Sequence, residues 1–364
     1  MNLRGEVSGR ELVVRADAST ASGTGHMMRA LALAQGWRDA DGRVRWLTAA
    51  APPALVDRLL AEDVRLEWLS AEDGAPIEPG SPPDADRFRD RLLADPASFG
   101  VVDGQWFDST YLAGLDEARA RLLVVDDGAE LDAYPVALVL NQNAHAGLVR
   151  YPASSEGGPR YLLGLDYVLL RREFLGPRPA RTIPQVARHL LVTFGGADPT
   201  GMTAKALAAL ARLPAALRDG LRVRVLVGAA NTEAARLAQL AAEIPDATVQ
   251  LDASIDDMPG AIGWADLALS SGGTTVWELA HGGCPTLVVE TVPIEERLVE
   301  GLREVRLFGH LGRGDRLSVG AIADELGARI GDREWRATMS ERGQRLVDGG
   351  GTARVIGAIA EVGR

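Results

Sequence analysis

The sequence alternates short apolar runs with amphipathic segments along most of its length, and this alternation constrains the fold more than any other feature. Runs such as "ELVVRAD", "RVRWLTAA", "FGVVDG" and "ARLLVVDDG" are typical of buried strands that end in polar residues. Between them, segments such as "HMMRALALAQGWRDA" carry apolar residues at helical spacing. This order favours a parallel sheet covered by helices, and we therefore predict an α/β fold.

The alternation pauses once, near the middle of the chain. The stretch "LRREFLGPRPARTIPQVAR" contains three prolines and five arginines, which predicts a hinge within residues 172–188. The pattern restarts at "HLLVTFGGADP" and runs to the strand "PTLVVE", after which we predict helix to the end. Because 364 residues exceed what one core usually supports, we predict two Rossmann-like doubly wound domains facing a cleft. Their predicted ranges are 1–175 and 176–364, with a last helix free to pack back on the first domain.

Composition argues against several classes of function. The formal net charge is −11 and the basic residues form no long run, so nucleic acid is a poor candidate partner. The N-terminus lacks an apolar signal core, and no apolar run approaches the ~20 residues of a membrane-spanning helix. The single cysteine, Cys284, cannot form an internal disulfide, which favours a reducing compartment. We expect a cytoplasmic protein, and the sequence indicates no oligomeric state.

The first candidate loop is "ASGTGH", residues 21–26, between a predicted strand and an apolar helix. Gly23 and Gly25 permit positive φ angles and close backbone approach, and the helix that follows offers free N–H groups. His26 lies at the predicted helix start, facing the cleft, where it could act as a general base. Alternatively, His26 only forms hydrogen bonds with its neighbours. Spacing alone leaves both interpretations open.

The second candidate loop is "TFGGADPTG", residues 193–201, after a strongly apolar strand. Gly195 and Gly196 could admit a phosphate against backbone N–H groups. The alternative is a tight turn in which Asp198 caps the next helix.

The third candidate loop lies in "LALSSGGTTVWELAHGGCP", residues 267–285. Its hydroxyls and backbone donors at a predicted helix start suit a diphosphate. They belong to Ser270, Ser271, Gly272, Gly273, Thr274 and Thr275. Glu278, four residues after Thr274, would suit a ribose diol, or else it is a capping-box acid without a ligand. Trp277 is a core residue in this interpretation.

Several familiar site motifs are missing. There is no G-x-G-x-x-G, no G-x-x-x-x-G-K-[ST] and no G-x-S-x-G, which argues against dinucleotide binding, P-loop ATPases and serine hydrolases. No spacing suggests zinc ligands. We take the four remaining histidines as structural or surface residues: His145, His189, His281 and His310. The carboxylate pair Asp126 and Asp127 ends a strand, where it could cap the next element or line the cleft.

Taken together, the strand ends and the three candidate loops resemble those of the UDP-sugar hydrolases of pseudaminic acid biosynthesis and the related spore-coat polysaccharide proteins. More distantly, they resemble the transferase that adds N-acetylglucosamine in peptidoglycan assembly. The resemblance spans nearly the whole chain in the same order. The stretches that carry it are "RADASTASGTGHMMRALALA", "VVDG", "LVVDD", "LVLNQN", "LLGLDYVLLRREF", "LLVTFGGADPTGMTAKAL", "ADLALSSGGTTVWELAHGGCP" and "LVDGGGTARV". The resemblance implies the glycosyltransferase-B fold.

The resemblance also implies roles for individual residues. The C-terminal domain would hold a nucleoside diphosphate, UDP by default, through Gly195, Gly196, Ser271, Gly272, Gly273, Thr274 and Glu278. Gly228, in the loop 228–233, would lie by the base. His26 would act at the anomeric carbon as general base of an inverting displacement. No metal or cofactor would be needed, because backbone donors take the charge of the leaving diphosphate.

The sequence departs from this resemblance on the sugar side. Gln105 and Trp106 stand where the hydrolases usually carry a tyrosine, and Ile294 and Glu295 stand where they usually carry Asn-Gln. The remaining residues predicted on the sugar and acceptor side are Gly23, Thr24, Gly25, Arg29, Asp103 and Asn141. The nucleotide side looks intact, whereas the sugar side loses polar groups that could position water and gains Trp106 and Ile294. We therefore predict a transferase from an NDP-sugar to a small acceptor. A hydrolase that uses water and a non-catalytic nucleotide-sugar binder remain as alternatives.

Overall fold

The computed structural model describes residues 3–19, 23–71, 74–153, 158–177, 181–195, 198, 200–227, 231, 233–253, 257–292 and 295–363. The chain divides into two compact units. The first unit comprises Met1–Arg172 and Gly349–Arg364, and the second comprises Glu173–Asp348. The first crossing between the units therefore lies three residues before the predicted boundary, and the C-terminal segment returns to the first unit.

The strands are short and, in most cases, buried on both faces. In chain order they are β1 Glu11–Ala16, β2 Arg43–Thr48, β3 Arg65–Trp68, β4 Phe99–Asp103, β5 Leu122–Val125, β6 Leu138–Asn141, β7 Arg160–Leu163, β8 His189–Thr193, β9 Leu221–Leu226, β10 Ala247–Asp252, β11 Leu267–Ser271, β12 Thr286–Glu290 and β13 Gly309–Arg313.

Helices separate most of these strands. In chain order they are α1 Leu3–Val7, α2 Gly25–Asp39, α3 Pro53–Ala61, α4 Pro82–Leu93, α5 Ser109–Ala113, α6 Met202–Arg212, α7 Ala215–Arg218, α8 Ala234–Ala242, α9 Met258–Trp264, α10 Thr275–His281, α11 Glu295–Glu304, α12 Val319–Gly331, α13 Arg333–Leu346 and α14 Gly351–Val362. Short 3₁₀ turns occupy Asp116–Arg121, Ala144–Gly147, Leu165–Tyr167 and Arg172–Phe174.

Both sheets are parallel and have the strand order of a doubly wound fold. The first sheet runs β3-β2-β1-β4-β5-β6-β7, and the second runs β10-β9-β8-β11-β12-β13. In each sheet the order reverses once, between β1 and β4 and between β8 and β11. Ligands of open α/β sheets bind beyond the carboxyl ends of the strands at such a switch point. The fold class predicted from the alternation is confirmed.

The core of the first unit explains why α2 is buried over most of its length. β1 is buried along five of its six residues and shares one core with α2, to which Leu31 and Leu33 belong. On its other side α2 meets α14, where Ile356 and Ile359 are buried. Gly36 permits this approach, because a Cβ there would lie 2.7 Å from the Ile356 side chain. The helix is therefore rigidly held from both sides.

Two strands were not predicted from the sequence. The last stretch was predicted as helix only, and this was wrong, because β13 pairs with β12 at the edge of the second sheet. The sequence of β13 is "GHLGR", which contains two glycines and lacks the apolar run that usually indicates a strand. β7, "RYLL", is similarly short. Within the described residues, no helix is long and apolar enough to cross a membrane.

Candidate active site

The switch point of the first sheet brings His26 and Asp103 together. Ala16, the last residue of β1, pairs in register with Asp103, the last residue of β4. α2 begins at Gly25, so that His26 lies in the first helical turn. Because β1 and β4 are neighbours, the side chain of Asp103 reaches the start of α2. The predicted position of His26 at the helix start is confirmed.

His26, Arg29 and Asp103 form a hydrogen-bonded cluster with Asp127, called here the histidine cluster. His26 Nδ1 lies 2.7 Å from Asp103 Oδ1. Arg29 donates from Nε to Asp103 Oδ2 and from Nη2 to Asp103 Oδ1, both at 2.7 Å. Arg29 follows His26 by three residues, so the two side chains lie on one face of α2.

The proton on His26 can be assigned from these contacts. Asp103 is an acceptor when ionised, so Nδ1 carries the hydrogen and donates it. Arg29 Nη2 lies 3.1 Å from the same Nδ1, but it directs its hydrogen to Asp103 Oδ1, which both groups share. Nε2 is then left as the proton acceptor. The His26 side chain is 20% exposed, whereas that of Asp103 is fully buried.

Asp127 completes the cluster from the end of β5. Arg29 donates from Nη1 to Asp127 Oδ1 at 2.8 Å. Asn143 donates to the same oxygen at 2.6 Å, and His145 Nε2 donates to the Asp127 carbonyl at 2.6 Å. Two strand ends and one helix start therefore hold one buried guanidinium between two carboxylates.

Both carboxylates of the cluster are ionised. Burial alone would raise the pKa of Asp103, but the charge of Arg29 and the hydrogen bonds from Arg29 and His26 outweigh it and lower that pKa below its usual value. The same balance lowers the pKa of Asp127 to about 2. Together the two carboxylates carry one negative charge more than Arg29 neutralises.

Other residues predicted on this side have varied surroundings. Gly23 has φ +70°, which requires glycine-like freedom, and both Gly23 and Thr24 are exposed. Gln105 is exposed, whereas Trp106 is partly buried against the core of the first unit. Asn141 is fully buried. Its amide group donates to Tyr151 Oη, and its carbonyl oxygen accepts from the Asn143 backbone, so its contacts order the loop that carries Asn143.

In the second glycine loop, Gly195 has free space around it within the described part of the chain, whereas the first backbone N–H groups of α6 already have an acceptor. Gly195 has φ +79° and is exposed, and among the described residues no atom lies within 4 Å of the place that a Cβ would take there. Asp198 accepts from the backbone N–H groups of Met202 and Thr203 at 2.9 and 2.7 Å. The expected capping alternative therefore holds for Asp198, which takes up the first donors of α6. Gly196 lies outside the described residues, as do Gly228 and Ile294.

The third loop, residues 271–274, connects β11 to α10 at the switch point of the second sheet. Ser270 pairs in register with Thr193, so the second and third loops leave adjacent strands. Ser271 and Gly272 are buried, while Gly273 and Thr274 are partly exposed. Glu278 is partly exposed one turn into α10, and Trp277 is a buried core residue as expected.

Glu295 reaches this loop from the start of α11. Its Oε2 accepts from the Thr291 backbone N–H at 2.6 Å and from the Thr291 hydroxyl at 3.0 Å. The Gly272 N–H also stabilises the carboxylate. Glu295 is 7% exposed, and burial raises its pKa despite these donors. We predicted this residue on the sugar side, and its contacts instead involve the loop predicted to bind the diphosphate.

Asp127, Asn143 and His145 were not selected as site residues from the sequence. The only signal was that "LVVDD" and "LVLNQN" each end an apolar run on polar residues. Asp126, by contrast, binds the hydroxyls of Tyr134 and Tyr151 and supports the loop. Within the described ranges, no three His, Cys, Asp or Glu side chains are grouped as a metal site would need.

The chain is similar to a spore coat polysaccharide biosynthesis protein and to N-acetylglucosamine transferases. No known protein-family model matches it. It is 24% identical over 220 residues to the spore coat polysaccharide biosynthesis protein SpsG of Bacillus subtilis, which covers 60% of this chain and 64% of that protein. It is 33% identical over 173 residues to the UDP-N-acetylglucosamine--N-acetylmuramyl-(pentapeptide) pyrophosphoryl-undecaprenol N-acetylglucosamine transferase of Nitratidesulfovibrio vulgaris, covering 47% of this chain and 44% of that enzyme. The chain thus matches less than two thirds of each relative.

The solved structures extend this similarity to the whole fold. MurG of Acinetobacter baumannii superposes with a TM-score of 0.66 at 17% identity, over 97% of this chain and 99% of that one. The glycosyltransferase SnogD of Streptomyces nogalater gives a TM-score of 0.62 at 16% identity. Neither these proteins nor the two relatives carry the name of a UDP-sugar hydrolase. The protein has the fold of the glycosyltransferase-B enzymes.

Proposed function

We propose that this protein is a nucleotide-sugar-dependent inverting glycosyltransferase with His26 as its general base. The observation that carries the proposal is the contact of His26 Nδ1 with the buried Asp103 carboxylate at 2.7 Å. A carboxylate on Nδ1 holds the imidazole in the tautomer whose Nε2 can accept a proton. The names of the relatives support a glycosyl donor carrying UDP and a biosynthetic role.

The chemistry follows from the free nitrogen of His26. Nε2 removes the proton from an acceptor hydroxyl or amine as the acceptor attacks the anomeric carbon. The bond between that carbon and the diphosphate oxygen breaks, and UDP leaves from the opposite face of the sugar. Asp103 and Asp127 stabilise the imidazolium that forms, while Arg29 keeps both carboxylates in place.

The second unit would bind the donor. Backbone donors at residues 271–274 and at Gly195 would take the charge of the leaving diphosphate, as helix starts do for other anions. Glu278 would accept from the ribose hydroxyls. In this proposal no metal ion or other cofactor takes part, and the partners are an NDP-sugar and a small acceptor in the cytoplasm.

The test measures nucleoside diphosphate release from a panel of UDP-sugars, with and without candidate acceptors, in the presence of EDTA. We expect release that depends on an acceptor, that survives EDTA and that falls about 10³-fold or more in His26→Ala. Unchanged turnover in His26→Ala would refute the role of this residue. Full release of free sugar without any acceptor would instead identify water as the nucleophile and reject the transferase.

A further inference from the structure

Glu295 places a buried carboxyl group beside the glycine loop 271–274. A Cβ added at Gly272 would lie 3.2 Å from Glu295 Cβ and 3.4 Å from Glu295 Cδ. A Cβ added at Gly273 would lie 3.9 Å from Glu295 Oε1. The absence of a side chain at Gly272 therefore lets the carboxylate lie directly against the loop backbone.

The two oxygens of Glu295 have different surroundings. Oε2 accepts from the Thr291 N–H and hydroxyl and, more distantly, from the Val292 N–H at 3.4 Å, so it caps the start of α11. Oε1 lies on the side of Gly273, and the Gly272 N–H contributes to holding the carboxylate. Capping requires only Oε2. The second oxygen is therefore not explained by the helix start.

A diphosphate bound at this loop would meet the carboxylate. The Gly272 N–H is one of the donors that the proposed function assigns to a phosphoryl oxygen, and it already has an anionic acceptor. An arriving diphosphate must replace that acceptor and then lie within a few ångströms of a negative charge in a poorly solvated place. Both effects weaken its binding.

We propose that Glu295 is a specificity-determining residue that weakens the binding of a diphosphate at residues 271–274 and favours release of the nucleoside diphosphate product. This inference rests on the proposed function. The product carries about one negative charge more than the donor, because its terminal phosphate is not esterified and has a second pKa near 6. Glu295 therefore repels the product more than the donor.

The test compares the wild type with Glu295→Gln by calorimetric titration, using UDP and uridine as the probes. Glutamine keeps a carbonyl oxygen that can accept from Thr291, so the cap of α11 survives while the charge is removed. We expect UDP to bind at least about tenfold more tightly to Glu295→Gln, because one like charge close to the diphosphate is lost. Uridine, which has no phosphate, should bind the two proteins equally.

Two further variants make the experiment decisive. Glu296→Gln removes the same charge from the exposed neighbouring residue of α11 and should bind UDP as the wild type does. Glu295→Ala removes both the charge and the cap, and its melting curve shows whether it folds. If Glu295→Gln does not fold, Glu295→Ala takes its place with the same expected gain in UDP affinity.

The outcomes separate the role of Glu295 from the proposed function. Equal and measurable UDP affinity in the wild type and both Glu295 variants overturns the role of Glu295 and leaves the transferase intact. Weaker UDP binding by Glu295→Gln overturns it as well and makes Glu295 a ligand of the nucleotide. If neither the wild type nor the variants bind UDP, ADP, GDP or dTDP, the nucleotide-sugar function fails, and the role of Glu295 fails with it.

Discussion

Replacing Asp103 by asparagine tests whether the histidine cluster is catalytic machinery or only a buried ion pair. The substitution keeps the shape of the side chain and removes its charge. In the native protein both oxygens are used, with Arg29 at 2.7 Å from each and His26 at 2.7 Å from Oδ1. Asparagine has only one acceptor atom. In either orientation of the amide, at least one donor of the cluster loses its partner, and the imidazolium loses its carboxylate.

The expected effects can be estimated from these contacts. Breaking a buried pair by removing one partner costs about 3–5 kcal/mol, and we expect about 3 kcal/mol because Arg29 keeps its 2.8 Å contact with Asp127. Loss of the carboxylate behind a catalytic histidine lowers turnover by about 10⁴-fold in enzymes that use such a pair. The free energy of unfolding is measured by urea titration, and turnover is measured as UDP release.

Asp84→Asn is a matched control within the same unit. Asp84 is fully buried and accepts two hydrogen bonds from Arg15 at 2.8 Å, while Arg15 keeps a 2.7 Å contact with Asp17. This variant should lose similar stability and keep its turnover. If Asp103→Asn loses stability but retains kcat within about threefold, the carboxylate has no part in the reaction and the assignment of His26 as an Asp-supported base is refuted.

Two further predictions concern stability. In Arg29→Met the carboxylates lose their cation. Arg29 contributes most to lowering the pKa of Asp127 from 3.8 to about 2 against the effect of burial, so the loss of Arg29 costs about 2 kcal/mol at neutral pH for this group alone. That contribution is present above pH ~4 and disappears as the pH falls toward ~2. The melting temperatures of the variant and the wild type should therefore converge in acid. A difference in melting temperature that does not change with pH would contradict the charge argument. Gly351→Ala should destabilise the protein by about 3 kcal/mol, because its Cβ would lie 2.1 Å from the Val168 carbonyl oxygen, which cannot move aside. Gly331→Ala, with open space around the exposed position, is the control and should melt within a degree or two of the wild type, as differential scanning fluorimetry would show.

The sequence by itself was sufficient for the class of fold and for where polar residues would gather. Strand and helix periodicities, with loops of glycine and hydroxyl residues after strands, already indicate two doubly wound sheets. His26 could be placed at a helix start because a glycine loop precedes it and an apolar run follows it. Arg29 follows His26 by about one helical turn, so the sequence also places Arg29 on the same face of the helix as His26. These predictions use only residues that are close together in the sequence, and the periodicity of apolar residues shows such local structure directly.

Tertiary structure decided which of these groups meet. Asp127 joins Arg29 across 98 residues because β5 lies next to β4 in the sheet, and no local pattern carries that order. The contact of Glu295 with Gly272 depends on where α11 begins beside the loop of another strand. The return of α14 to the first unit is decided in the same way, by the fit of its Gly351 against the backbone of Val168. Contacts between distant residues are set by strand order and close packing, which periodicity does not encode. For this protein the sequence alone therefore predicted His26 at a helix start, with Arg29 and Asp103 on the same side of the site, and the fold determined that these groups touch and that Asp127 joins them.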